Sequence, residues 1–242
     1  MAVSIAEVER GLAFVEHESQ LVTLVEFDSP DLATVPERWR DIATAATTQA
    51  RCREALRLWN AEFLELVPEF AAILREELAD VRIGTVDGEW VLIYALEHFD
   101  EEQRYVLCWI GWDPATFGAS DPPLWDSVPE PLQAFLREVH AGFTAPDWMS
   151  FGPVQPRRMG TFAELNDSPD GIPEWMDFPD STRLLPLVST YSRVHGCVSP
   201  DLPQGEGVVL YNFDLDPPEP VGHMLDHILC VRFTVAYQET EG

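Results

Sequence analysis

The sequence predicts an α+β fold: a mixed or antiparallel sheet packed with helices, in which a helix-plus-β-meander extension precedes a half made of short elements. Three observations predict it. Proline is split unevenly, with only Pro30, Pro36 and Pro68 in residues 1–113 and the other 17 of 20 from Pro114 onward. Regular structure is therefore expected first, and short elements between turns afterwards. An Asp-Gly pair sits between two β-rich runs, the strongest local hairpin signal. Apolar residues recur at helical spacing on both sides of that hairpin.

Ser4 and Glu7 form a capping box that opens a helix from Ile5 to about Val15. QLVTLVEF (20–27) alternates apolar and polar residues and reads as a strand. Pro36 suits the first turn of a long helix carrying Trp39, Ile42, Ala46, Ala50, Leu56, Trp59, Phe63 and Leu66, with Pro68 kinking or restarting it toward Asp80. VRIGTV, the turn at Asp87-Gly88, EWVLIYALEHF and RYVLCWIGW then give a three-stranded meander packed on that helix. Past a turn-rich link, Val128, Leu132, Phe135, Leu136 and Val139 form one helical stripe, and Gly142 supplies the stop. Thr161 caps one helical turn in TFAEL (161–165), and a proline-rich acidic loop covers 166–182. LLPLVSTYS and GVVLYNFD read as strands, and VGHMLDHILCVRFTVAY reads as helix to about Val231, after which FTVAY prefers strand. The division expected is 1–113 and 118–242, which can pack as one unit.

Charge is the outlier. Forty-two acids stand against 15 bases, for a net charge of −27, and every base is Arg. Residues 161–242 are the most lopsided, with 14 acids and 3 bases. Such a field excludes nucleic acid and anionic membrane as partners and favours a basic protein. No run of about 18 apolar residues exists, and the N-terminus has neither a basic start nor an apolar core, so the expectation is a cytoplasmic protein. Cys52, Cys108, Cys197 and Cys230 form no CxxC and read as buried free thiols.

Catalytic motifs are thin: there is no P-loop, GxGxxG, GxSxG or HExxH. His223 and His227, at i and i+4 around Asp226, are the best metal pair, but the motif lacks a Glu beside the first His and a clear third ligand. Asp214 and Asp216 offer two oxygens to a hard cation or cap the loop after a strand. His98 and His140 are available acid–base groups without a nucleophile nearby in sequence. The expectation is no enzyme, no cofactor and no metal. Trp125, Trp148 and Trp175 lie in loops and fit either as interface anchors or as lids on the core. The acidic loop holds Glu164, Asp167, Asp170, Glu174, Asp177 and Asp180, no base, and Trp175 and Phe178 interleaved. An acidic rim around an aromatic anchor suits docking on a basic groove, so these eight residues are the expected partner-binding set.

LWDSVPEPLQAFLREVHAGFTAPDWMSFGPVQPRRMGTFAEL resembles the SUKH superfamily, mixed α/β domains found as bacterial immunity proteins and in yeast regulators of cell-wall synthesis. Val128-Pro129, Phe135-Leu136, Gly142 and Phe162-Ala163-Glu164-Leu165 fill the places of its motifs, and GCVSPDLPQGEGVVLYNFD is similar to its strand pair. The likeness spans about residues 118–237, with His140-Ala141-Gly142 replacing the usual Asn-Gly-Gly. It implies binding, with no catalytic residues to carry over. The expected function is an immunity protein that occludes a cognate basic toxin, a nuclease preferred. A regulatory scaffold or a metal-dependent hydrolase are the alternatives.

Overall fold

The computed structural model describes residues 3–13, 22–100, 103–173, 175–191 and 194–239. Two antiparallel sheets and eight α-helices among those residues make an α+β fold. The first sheet has the order β1-β2-β3-β4-β5, from β1 (Thr23–Leu24), β2 (Leu78–Val86), β3 (Glu89–Asp100), β4 (Gln103–Trp112) and β5 (Phe143–Thr144). Its centre is the meander anticipated from sequence. Asp87 and Gly88 both have positive φ, 51° and 83°, so the turn matches the twist of its strands and sets the register Val86↔Glu89. Strand β3 then runs Val91 to Leu96 with all six side chains fully buried, which requires cover on both faces of the sheet.

Helix α1 (Ile5–Leu12) covers one face. The Ser4–Glu7 capping box starts it, and the Val8 carbonyl accepts from the Cys108 thiol of β4. Only Thr23–Leu24 of the expected 20–27 strand pairs, and Val15, Gln20 and Leu21 lie outside the described residues.

The long helix beyond Pro36 is replaced by four short ones: α2 (Arg40–Thr44), α3 (Thr48–Leu56), α4 (Ala61–Leu66) and α5 (Pro68–Glu77). The chain turns extended at Ala45, with ψ 122°, and Thr47 caps α3 by accepting from the Ala50 N–H. Asn60 is also extended, and Pro68 opens α5 at its first turn. Each break redirects the chain, so one stripe on paper is not one stripe in space. Trp39, Ile42, Trp59 and Phe63 are buried, while Ala46 is exposed and Ala50, Leu56 and Leu66 are only half-buried.

Helix α6 (Glu130–Glu138) matches expectation, with Val128, Leu132, Phe135, Leu136 and Val139 all buried and Gly142 at φ 110° after it. Phe135 stacks on Phe63 at 4.3 Å, and Trp59, Phe70, Tyr94 and Phe143 close a ring cluster over the second face of the sheet.

The second sheet has the order β10-β8-β7-β6, from β6 (Leu185–Ser189), β7 (Val194–Val198), β8 (Glu206–Tyr211) and β10 (Glu219–Pro220), with β9 (Asp214–Leu215) folded back on β8. The run GVVLYNFD is therefore not one strand: Asn212-Phe213 is the β8–β9 turn. Helix α8 (Val221–Glu239) packs on one face through Met224, Leu225, Ile228 and Leu229. It continues past Val231, against the β preference of its last residues. Phe233 packs against Trp109 at 5.3 Å, and the Arg232 guanidinium, 1% exposed, donates to the Cys108 carbonyl and lies 4.4 Å over Trp109. Burial outweighs local propensity here. One core cluster runs from Val3 to Phe233, drawing on both halves of the chain. A smaller one, Phe162, Leu184, Cys197, Val208 and Leu210, lies on the other face of the second sheet.

Candidate functional site

The smaller core is where the acidic loop sits. Helix α7 (Phe162–Leu165) is held by a capping box: Thr161 accepts from the Glu164 N–H, and the Glu164 carboxylate accepts from the Thr161 N–H at 2.7 Å. The helix positions Phe162 over Cys197 and Leu210, and Asn166 closes its end by donating to the Phe162 carbonyl. Beyond it the loop crosses the sheet to Asp180. Asp180 accepts from the N–H and hydroxyl of Thr182, which holds its carboxyl below the usual range. The Ser181 hydroxyl accepts from the Ile172 N–H at 3.1 Å.

Trp175 lies on Phe162 with ring centroids 5.5 Å apart. Its indole N–H donates to the Asp177 and Pro179 carbonyls at 2.9 and 3.0 Å, so the ring is fixed by its polar edge. Phe213 also contacts Phe162, T-shaped at 5.7 Å. Phe213 has φ 75°, following Asn212 at φ 48°. A two-residue turn of this kind wants glycine second. A phenyl group there costs on the order of 1 kcal/mol, and it places the ring at the surface, half exposed.

Trp175 and Phe213 also line a cavity of about 560 Å³, together with Ile172, Pro173, Met176, Asp177 and Asp214. Met176 and Phe178 stand beside it in the loop, 92% and 74% exposed, and Leu165 of α7 is exposed too. Large side chains this bare are the kind found at contact surfaces.

The eight expected residues separate into groups. Trp175 and Asp177 line the cavity, and Phe178 is exposed. Glu164 and Asp180 cap the loop's own backbone. Asp167, at φ 56°, and Asp170 are exposed at the loop's turns. Glu174 lies outside the described residues. Met176 and Phe213 are outside the expected set: Met176 carries no charge in a segment that stands out for its acids, and Phe213 lies in the run that reads as a strand. The Asn before Phe213, a residue that tolerates positive φ, was the available signal for a turn. Trp125 and Trp148 are lids on the core, 6% exposed each, packed on Phe117 and Trp112.

Several of the candidate chemical groups have structural partners. Asp226 turns inward and accepts from the Glu69 and Phe70 N–H groups at 2.8 Å, capping α5 from 157 and 156 residues away. His223 bonds Glu219 on the surface. Among the described residues no group of three or more His, Cys, Asp or Glu is placed to hold a metal. Cys108 and Cys197 are buried, whereas Cys52 and Cys230 are half-buried, and burial pushes the thiols of Cys52 and Cys230 up to about 11 and about 12.

His140 is fully buried. Its Nδ1 lies 3.3 Å from the Trp112 carbonyl, which can only accept, so Nδ1 carries the proton. Nε2 therefore accepts from the Tyr94 hydroxyl at 2.8 Å, and that oxygen accepts from the Trp59 indole at 3.3 Å. Burial pushes the imidazole down to about 3, keeping it neutral. Gly111 makes room for it: a Cβ there would meet the His140 ring at 2.7 Å. Ser189 Oγ contacts His195 Nδ1 at 2.8 Å across β6 and β7, and burial lowers that imidazole too.

No family model, no curated protein and no solved structure matches this chain. No helix among the described residues is long and apolar enough to cross a membrane.

Proposed function

We propose that this chain is a non-enzymatic immunity protein that acts in the cytoplasm and neutralises a basic toxin, a nuclease preferred, by covering its active or substrate-binding surface. The observation that carries the reading is the 162–182 segment: exposed Met176 and Phe178 and an aromatic-walled cavity set among carboxylates without a base. Two further features support it. The net charge of −27 attracts a basic surface over long range, and the caps at Thr161 and Asp180 order the loop before it meets a partner. The SUKH likeness of residues 118–237 supplies the immunity role. Mechanistically, the carboxylates would occupy ground the toxin offers to phosphates, while the apolar side chains exclude water at the centre.

The test is purification from the native strain with its bound partner, followed by binding kinetics at low and high salt. Association should slow as salt rises, because attraction is screened within about 8–10 Å. Charge reversal at Asp170, Glu174 and Asp177 should slow association further, and Trp175→Ala should speed dissociation. Salt-insensitive rates together with normal binding by the triple reversal would overturn the reading.

A further inference from the structure

We propose that the cavity lined by Trp175 and Phe213 takes the guanidinium group of an arginine side chain. The inference rests on the docking reading above and names what that surface grips. Two aromatic residues line it: Trp175, held by its two indole hydrogen bonds, and Phe213, in T-shaped contact with Phe162. A ring fixed in this way offers its face without having to be ordered on binding. A planar, weakly hydrated cation is the ligand that gains most from two such faces.

Two acidic residues are part of the lining, Asp177 from the loop and Asp214 from β9. Neither side chain has a hydrogen-bond or ion-pair partner among the described residues, in contrast to Glu164, Asp180 and Asp201, which are bound to Thr161, Thr182 and Arg183. Free acceptors beside aromatic faces select a cation over an apolar group. A guanidinium fits better than an ammonium, since its fork reaches separate carboxylates while its plane stacks. The volume, about 560 Å³, holds one long side chain with room for water.

The test uses the full chain, labelled for NMR, titrated with Nα-acetyl-arginine methylamide, with its lysine counterpart, and with the uncharged citrulline counterpart. The arginine probe should shift the Trp175 indole and Phe213 amide signals saturably, with the citrulline probe about tenfold weaker or more. Asp177→Asn with Asp214→Asn should bring the arginine affinity to the citrulline level. Phe213→Gly should weaken it several-fold while leaving the spectrum of the Trp59 cluster unchanged. Equal binding of arginine and citrulline, equal binding of lysine, or no saturable shift would each overturn the proposal. Failure here is separable from failure of the docking reading. A chain that ignores the arginine probe but whose triple reversal slows the partner loses only the cavity. One that binds arginine yet shows salt-insensitive partner kinetics loses only the docking reading.

Discussion

The ring cluster around Trp59 and the ring cluster around Phe162 use the same residue types in opposite surroundings. Trp59, Phe63, Phe135 and Phe143 close on one another over a sheet covered on both faces, and the histidine inside is neutral and fully hydrogen-bonded. Phe162, Trp175 and Phe213 cover only one face of the second sheet and leave a cavity bordered by carboxylates. Closing an aromatic cluster converts its rings into folding energy, because contact area leaves water permanently. Leaving one open leaves Met176 and Phe178 exposed and Phe213 strained. Mutations should therefore cost stability in the first cluster and little in the second.

The largest effect expected is at Phe135, which is fully buried and stacked on Phe63. Phe135→Ala should lower unfolding free energy by about 3–5 kcal/mol in denaturant titration. A loss under about 1 kcal/mol would mean that the Trp59 cluster is not the sealed one.

The next concerns protons. His140 has a folded pKa of about 3 against roughly 6.5 unfolded, so only the neutral form fits. Its contribution is complete above pH 6.5 and is lost as pH falls from 6.5 toward 3, by about 1.4 kcal/mol per pH unit. Protonating Nε2 would also take away the acceptor of the buried Tyr94 hydroxyl proton. His140→Gln should flatten this part of the stability–pH curve; parallel curves for the two proteins would show that the imidazole titrates normally.

Asp226 sharpens the comparison from the helix side, since it ties α8 to the α5 N-terminus. Asp226→Ala removes acceptors from two N–H groups and should cost about 2 kcal/mol, read as a shift of the denaturation midpoint. A neutral outcome would mean that water replaces the carboxylate.

The smallest effect is expected in the open cluster. Phe213→Gly removes a half-exposed ring and relieves its backbone, so stability should change by less than about 1 kcal/mol in either direction. A loss of several kcal/mol would make Phe213 part of the core and erase the distinction between the clusters.

Much of the local structure was legible in the sequence, because its causes lie within a few residues. The Ser4–Glu7 box, the Thr161 cap, the Asp87-Gly88 turn, the α6 stripe and Gly142 all appear as read. Near the cavity, the loop with Trp175, Asp177 and exposed Phe178 was legible, since acids and aromatics without bases stand out in composition. The partner wall was not, because Phe213 reaches Trp175's neighbour Phe162 only through the pairing of β8 with β9. The helix after Pro36 was misjudged for a related reason. Apolar spacing records which residues seek burial, while the breaks at Ala45 and Asn60 determine where each can find it.

By itself, then, the sequence determined the helix starts at Ser4 and Thr161, the Asp87-Gly88 turn, the fold class and the acidic field, all of which follow from steric and hydrogen-bonding preferences over short separations or from composition. Tertiary structure decided the rest. Asp226 stands in the candidate metal motif by sequence and is a helix cap 157 residues away in the fold; His140 reads as an acid–base group and is a buried acceptor for Tyr94; Phe233 reads as strand and is helical. The reason is common to all three. Burial changes what a polar or charged group must do, and which groups are buried depends on contacts the local sequence does not contain.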